Sequence, residues 1–277
     1  MKDYTIRKTK IPTGGGEMVV LILQPVQKLP PCNTPAILWI HGGGYVTGMA
    51  EMIYMSRALP LVRKYGAVVI APEYRLAGEA PYPAALEDCY EALLYLKDHA
   101  QTLGCNPEQI MVGGESAGGG LTAAVCMYAR DRGEVNIAFQ MPLYPMLDDR
   151  DTDSSRNNHR LPWNTKFNHG SWKKYLHNVA GEPPVYAAPA RQTNYAGLPP
   201  AYTFVGKDEP FYCETVQYIE NLQKAGVPAA VDVYPSGFHA FDILLPFRKI
   251  SKQAVNAFEQ QFLYAREHYF AKQGEGK

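Results

Sequence analysis

Gln109-Ile110-Met111-Val112-Gly113-Gly114-Glu115-Ser116-Ala117-Gly118-Gly119-Gly120 decides how the chain is read. Gln109 to Gly113 is a short strand, the glycines that follow are a tight turn, and a helix runs from about Gly118 to Arg130. Gly114-Glu115-Ser116-Ala117-Gly118 is therefore a G-x-S-x-G pentapeptide set between a strand and a helix. Glycines on both sides relieve the crowding of such a turn and leave the serine hydroxyl exposed. The helix behind it turns its N-terminus, which favours negative charge, toward the same spot. Two rivals fail on spelling. A phosphate-binding loop needs Lys and then Ser or Thr after its last glycine, where Gly119-Gly120 stands. Gly118-x-Gly120-x-x-Ala123 fits a loose dinucleotide fingerprint, but its glycines start too far into the helix and no acidic residue ends the next strand.

Upstream, His41-Gly42-Gly43-Gly44-Tyr45 directly follows the apolar run Ala36 to Ile40. Bare backbone amides at the end of a central strand are what an oxyanion hole requires. Alone they would read as a flexible loop; paired with G-x-S-x-G, each after its own strand, they point to acyl transfer. His41 reads as a residue bracing the loop.

A serine needs a base, and the base needs an acid to orient it. Of seven histidines, His99 and His268 fall in helices, and His159, His169 and His177 fall in a polar insertion at spacings that fit no metal motif. His239 follows strand Ala229 to Tyr234, at the sheet edge where open α/β sheets bind ligands. The acid should end the preceding strand, where Asp208 and Glu209 adjoin. Both stay open on this reading.

The rest of the chain alternates strands and helices: strands Glu17 to Gln24, Ala67 to Ala71, Ile137 to Tyr144 and Ala201 to Val205; helices Met52 to Tyr65, Pro83 to Leu103, Glu214 to Ala225 and Phe247 to Phe270. That order predicts one α/β domain over residues 1–277, with a mostly parallel central sheet flanked by helices. Asp148 to about Leu198 breaks the alternation, first polar and then aromatic. It is longer than an ordinary connection needs and predicts a lid with one helix near Ser171 to Asn178. Trp163, Phe167, Trp172 and Tyr175 argue that it packs, and the first three are its candidate substrate-binding residues. A surface loop is the alternative.

Composition narrows the function. The 277 residues are 46% hydrophobic and 19% charged, with 27 Lys plus Arg balanced by 27 Asp plus Glu. A neutral chain has no general attraction for a phosphate backbone, so nucleic-acid binding is not expected. The N-terminus shows no signal-peptide core, and no run reaches the roughly 20 apolar residues of a membrane span. Cys32, Cys89, Cys105, Cys126 and Cys213 form no CxxC pair, which predicts reduced thiols and a cytoplasmic protein.

With these residues in place, the chain resembles the hormone-sensitive-lipase-like branch of the α/β-hydrolases, the carboxylesterase and acetyl-esterase group. The likeness runs from about Ala36 to Phe241, roughly three quarters of the chain. HGGG and GESAGG are its signatures. Glu73-Tyr74-Arg75-Leu76-Ala77, Pro83 to Asp88, Pro189-Ala190-Arg191, Leu198 to Tyr202 and Ala225-Gly226-Val227-Pro228 also resemble family segments. The resemblance implies Ser116 as nucleophile, His239 as base, and Gly43, Gly44 and Ala117 as oxyanion donors. It also implies hydrolysis of short-chain esters with no metal or organic cofactor. Two features depart from it. The segment before HGGG is too short for the family's helical cap, so the lid must come mainly from the insertion. The acid motif G-x-x-D-P-F stands here as Gly206-Lys207-Asp208-Glu209-Pro210-Phe211, with Glu209 in the acid's slot and Asp208 one place early; register favours Glu209, and side-chain length favours Asp208. An arylformamidase or other small amide hydrolase, a small-molecule receptor on the same fold and a nucleotide-binding protein are the competing readings. The partner expected is a small-molecule ester, with a homo-oligomer left open.

Overall fold

The computed structural model of the chain describes residues 3–274. Its elements, in chain order, are β1 (Tyr4–Thr13), β2 (Gly16–Pro25), β3 (Ala36–Ile40), α1 (Ala58–Tyr65), β4 (Val68–Pro72), α2 (Ala84–His99), β5 (Ile110–Glu115) and α3 (Ala117–Arg132). They continue with β6 (Phe139–Leu143), α4 (Thr165–Tyr175), β7 (Ala201–Gly206), α5 (Tyr212–Lys224), β8 (Ala229–Tyr234), α6 (Phe241–Leu244) and α7 (Lys249–His268).

All eight strands form one sheet in the order β1-β2-β4-β3-β5-β6-β7-β8. The β1–β2 and β2–β4 pairings are antiparallel and the others parallel. Alternation of side chains across the pleat supplies two cores. Ala36, Leu38 and Ile40 of β3 join α2, α3 and α5 on one face. Ile37 and Trp39 join α1 and α7 on the other. Covered on both faces, β3 is apolar and buried throughout.

Three expectations are corrected. The N-terminal stretch, read as the single strand Glu17 to Gln24, is a hairpin whose first strand is an edge of the sheet. Its Arg7, Lys8 and Lys10 are exposed on both faces and mask the strand pattern; edge charges of this kind also discourage pairing with another chain. Met52 to Tyr65 is not one helix but a 3-10 turn (Ala50–Tyr54) followed by α1. The break lies at Ser56, whose hydroxyl bonds the Ile53 carbonyl and accepts from the Ala58 amide, a local competition with helical bonding. The helix of the insertion begins at Thr165 rather than Ser171, because Asn164 caps it by accepting from the Phe167 amide at 3.1 Å. Among the described residues, no helix is long and apolar enough to cross a membrane.

Candidate active site

Ser116 stands between β5 and α3 with φ 58° and ψ −120°, a conformation that costs a non-glycine residue of the order of 1–3 kcal/mol. The surroundings hold it there. Its amide donates to the Leu143 carbonyl at 3.0 Å, and its own carbonyl accepts from Gly120 and Met146. The flanking glycines are needed for approach. A Cβ on Gly114 would lie 2.5 Å from the Ile40 carbonyl oxygen, and one on Gly118 would collide with the carbonyls of Ile40 and His41. The elbow is thus pressed against the end of β3, where the Gly42-Gly43-Gly44 loop begins.

His239 and Glu209 arrive from two loops beyond β8 and β7. Those loops are zipped together by Lys207 N–H to Tyr234 O at 2.8 Å and Asp208 N–H to Ser236 O at 3.0 Å. Gly206 permits the contact, since a Cβ there would lie 2.5 Å from the Ser236 oxygen. The result is a buried relay. Ser116 Oγ is 2.9 Å from His239 Nε2, and His239 Nδ1 is 3.0 Å from Glu209 Oε1. With Nδ1–H donating to the carboxylate, Nε2 is left to accept the serine proton. Burial pushes the Glu209 carboxyl upward, and His239 opposes that shift. Asp208 has its side chain exposed and lies outside the relay. Of the two adjacent acids, the loop turns Glu209 inward.

Gly43 (φ 124°) and Gly44 (φ 61°) hold the left-handed backbone that lifts their loop over the elbow. The Gly43 carbonyl accepts from Val46 and Thr47, and the Tyr45 hydroxyl donates to the Met146 carbonyl at 2.7 Å. The amides of Gly43, Gly44 and Ala117 have no intramolecular acceptor among the described residues. His41 braces the loop: it stacks on Tyr74 at 4.2 Å, its Nδ1 lies 2.8 Å from the Gly42 carbonyl, and burial lowers its pKa to about 4.

Ser116 and His239 open into a cavity of about 250 Å³ whose wall includes Trp39, Ile53, Tyr144 and Leu244. Of the three candidate substrate-binding residues of the insertion, only Trp163 lines it. Trp172 is buried in the core against Tyr45, 5.4 Å between centroids, because it falls on the inner face of α4. Phe167 lies on the outer face and is 52% exposed. The sequence offered no signal for Glu115, Tyr144 or the 50–56 segment as cavity lining; they meet the site only through the sheet's packing. Among the described residues, no group of three or more His, Cys, Asp or Glu side chains is gathered as a metal site.

Comparison with known proteins places the chain in a family. Residues 37–243 match the model of a family described as alpha/beta hydrolase fold. The chain is 35% identical over 206 residues to esterase LipI of Mycobacterium tuberculosis, covering 72% of this chain and 63% of that protein, so the match spans just under two thirds of that relative. It is 32% identical over 272 residues to an AB hydrolase superfamily protein of Schizosaccharomyces pombe, covering 92% of this chain and 78% of that one. Its structure is similar to that of a bacterial heroin esterase, with TM-score 0.88 and 35% identity over 96% of this chain and 84% of the other.

Proposed function

The chain belongs to the α/β-hydrolase fold family, in its hormone-sensitive-lipase-like esterase branch, and from that premise we propose that it is a serine carboxylesterase acting on esters of short acyl groups. The observation that carries the reading is the Ser116–His239–Glu209 relay facing a small cavity beside three unpaired amides.

Ser116 Oγ attacks the ester carbonyl as His239 Nε2 takes its proton. The carbonyl oxygen becomes an anion held by the Gly43, Gly44 and Ala117 amides, donors already oriented before charge develops. Glu209 fixes the imidazole tautomer and stabilises the imidazolium. Collapse of the intermediate expels the alcohol, which leaves with the proton from His239, and Ser116 is acylated. A water then gives its proton to His239 and attacks the acyl carbonyl; the carboxylic acid departs and the serine is restored. Residues 148–198 serve as the lid and bring Trp163 to the cavity wall. The small-molecule ester is the only partner the mechanism needs. Five free cysteines fit a reducing compartment, the cytoplasm.

The acyl preference follows from size. Small-molecule pockets commonly run to about 300–1,000 Å³, and this cavity, at about 250 Å³, lies below that range. Each methylene that finds room is worth about 0.8 kcal/mol, so a filled pocket discriminates steeply against the next. Initial rates on p-nitrophenyl acetate, butyrate, octanoate and dodecanoate test the reading. Acetate or butyrate should turn over fastest. No hydrolysis of any ester would refute the activity, and a dodecanoate optimum would refute the short-chain preference.

A further inference from the structure

Behind the cavity wall lies a buried polar chain that the mechanism does not use. Glu115, next to the nucleophile, accepts from Trp39 Nε1 at 2.7 Å with one oxygen and from the Arg57 backbone N–H at 2.9 Å with the other. The Arg57 side chain turns the other way. Its Nε lies 3.1 Å from Asp242 Oδ2, with Arg57 13% exposed and Asp242 wholly buried. Asp242 stands three residues after His239, in the single turn of α6, and Ile243 and Leu244 of that turn line the cavity. The turn is entered through Ala240 in the left-handed conformation, φ 55°.

We propose that Arg57 is a positioning residue of the reaction: through its backbone on Glu115 and its guanidinium on Asp242 it ties the nucleophile elbow to the histidine loop. The proposal rests on the relay assigned above, since it concerns how His239 is held over Ser116.

Besides Arg57, the Tyr144 hydroxyl and the Asp242 and Ile243 backbone N–H groups act on the Asp242 carboxyl. Neither of its oxygens has an aligned hydrogen-bond partner, and the hydroxyl of Tyr144, which lies against the same carboxyl, is likewise without an aligned acceptor. The Arg57 contact is an ion pair by distance and not a directed hydrogen bond. Burial raises the Asp242 carboxyl, and Arg57 is the first of the groups opposing that shift. Three buried carboxyl groups, Glu115, Glu209 and Asp242, therefore surround the elbow and the histidine loop. Among the described residues, the only arginine or lysine within ion-pair distance of any of them is Arg57. Arg57 itself does not line the cavity, so its influence on the reaction must pass through Glu115 beside the nucleophile and through the loop that carries His239.

A purely stabilising ion pair and a positioning one differ in what the double variant does. Arg57→Met leaves Asp242 buried and uncompensated, a strongly destabilising change. Arg57→Met/Asp242→Asn removes the stray charge but also the tie. Steady-state kinetics on p-nitrophenyl acetate and thermal unfolding should be measured for wild type, Arg57→Lys, Arg57→Met and the double variant. Arg57→Met should lower both Tm and kcat, with kcat down at least about tenfold and KM within about threefold, as expected when only transition-state geometry is lost. Arg57→Lys should recover most of kcat. The double variant should regain Tm while kcat stays low. Recovery of kcat together with Tm, or wild-type kcat in Arg57→Met, overturns the proposal; if Arg57→Met does not fold, the double variant decides alone. Ser116→Ala runs beside them. Activity surviving in that variant would remove the relay itself, whereas an inactive Ser116→Ala with Arg57-independent turnover removes only the role of Arg57.

Discussion

The indole of Trp163 stands where a side chain on Gly44 would be: a Cβ built there would collide with its Cη2 and come within 2.7 Å of Ser171 Oγ. The insertion between β6 and β7 is thereby packed directly on the loop whose amides are proposed to hold the oxyanion. Gly44→Ala must displace the indole and also bear a left-handed backbone at φ 61°. Loss of one oxyanion donor typically costs about a hundred- to a thousandfold in kcat. Turnover of p-nitrophenyl acetate should fall by that order with the protein still folded. A variant within twofold of wild type would show that the loop does not depend on a bare residue at position 44.

Trp163→Ala leaves the amides in place and enlarges the cavity. The ratio of kcat/KM for octanoate over acetate should rise by roughly tenfold, the worth of one or two newly accommodated methylenes. An unchanged ratio would mean that Trp163 does not bound the acyl chain.

Ser116→Ala should abolish ester hydrolysis, since losing the nucleophile of such a relay costs about a millionfold in kcat. Its fold should survive, because alanine carries the same Cβ in the same φ 58° conformation. Ser116→Gly relieves that strain. It should be more stable than Ser116→Ala by about 1 kcal/mol, read as an upward shift in Tm. Equal Tm values would deny that the elbow is strained.

Glu209→Gln should cut kcat by roughly ten-thousandfold, as loss of the orienting carboxylate does in a related relay. Asp208→Asn should cost far less, because Asp208 is exposed and only its backbone joins the loop. The opposite order in the two kinetic profiles would transfer the role to Asp208.

Burial, reinforced by the charge of Asp242, raises the Glu115 carboxyl from its ordinary 4.5 to about 7 against the pull of the Arg57 and Trp39 N–H groups. Between those values the folded protein keeps a proton that the unfolded chain has released, so this group lowers stability as pH rises. The cost is absent below about 4.5, complete above about 7, and of order 3 kcal/mol. Urea unfolding of wild type and Glu115→Gln from pH 5 to 8 reads it. The variant should gain on wild type as pH rises, whatever its absolute stability. Taking the difference removes His41, whose imidazole, lowered to about 4, acts with opposite sign. Parallel curves would show that Glu115 stays ionised throughout the range.

Some features are local and could be read from the chain alone. G-x-S-x-G marks an elbow because only glycine permits carbonyls to approach that closely, and HGGG marks a loop of free amides because glycine takes the backbone angles that expose them. The buried strands declare themselves by being apolar throughout. The family resemblance, anchored on Pro210-Phe211, favoured Glu209 over Asp208 as the acid. Other features depended on packing that no local pattern encodes. Whether Asp208 or Glu209 faced inward was set by the zipping of two loops across Gly206 and Ser236. That Trp172 would fill the core while Phe167 faced outward was set by where Asn164 starts α4 and so how its faces turn. Glu115, Arg57 and Asp242 lie 58 and 185 residues apart along the chain. They meet only because β5, α1 and the loop after β8 converge at one edge of the sheet, and burial gives their charges an energetic weight that exposed ones lack.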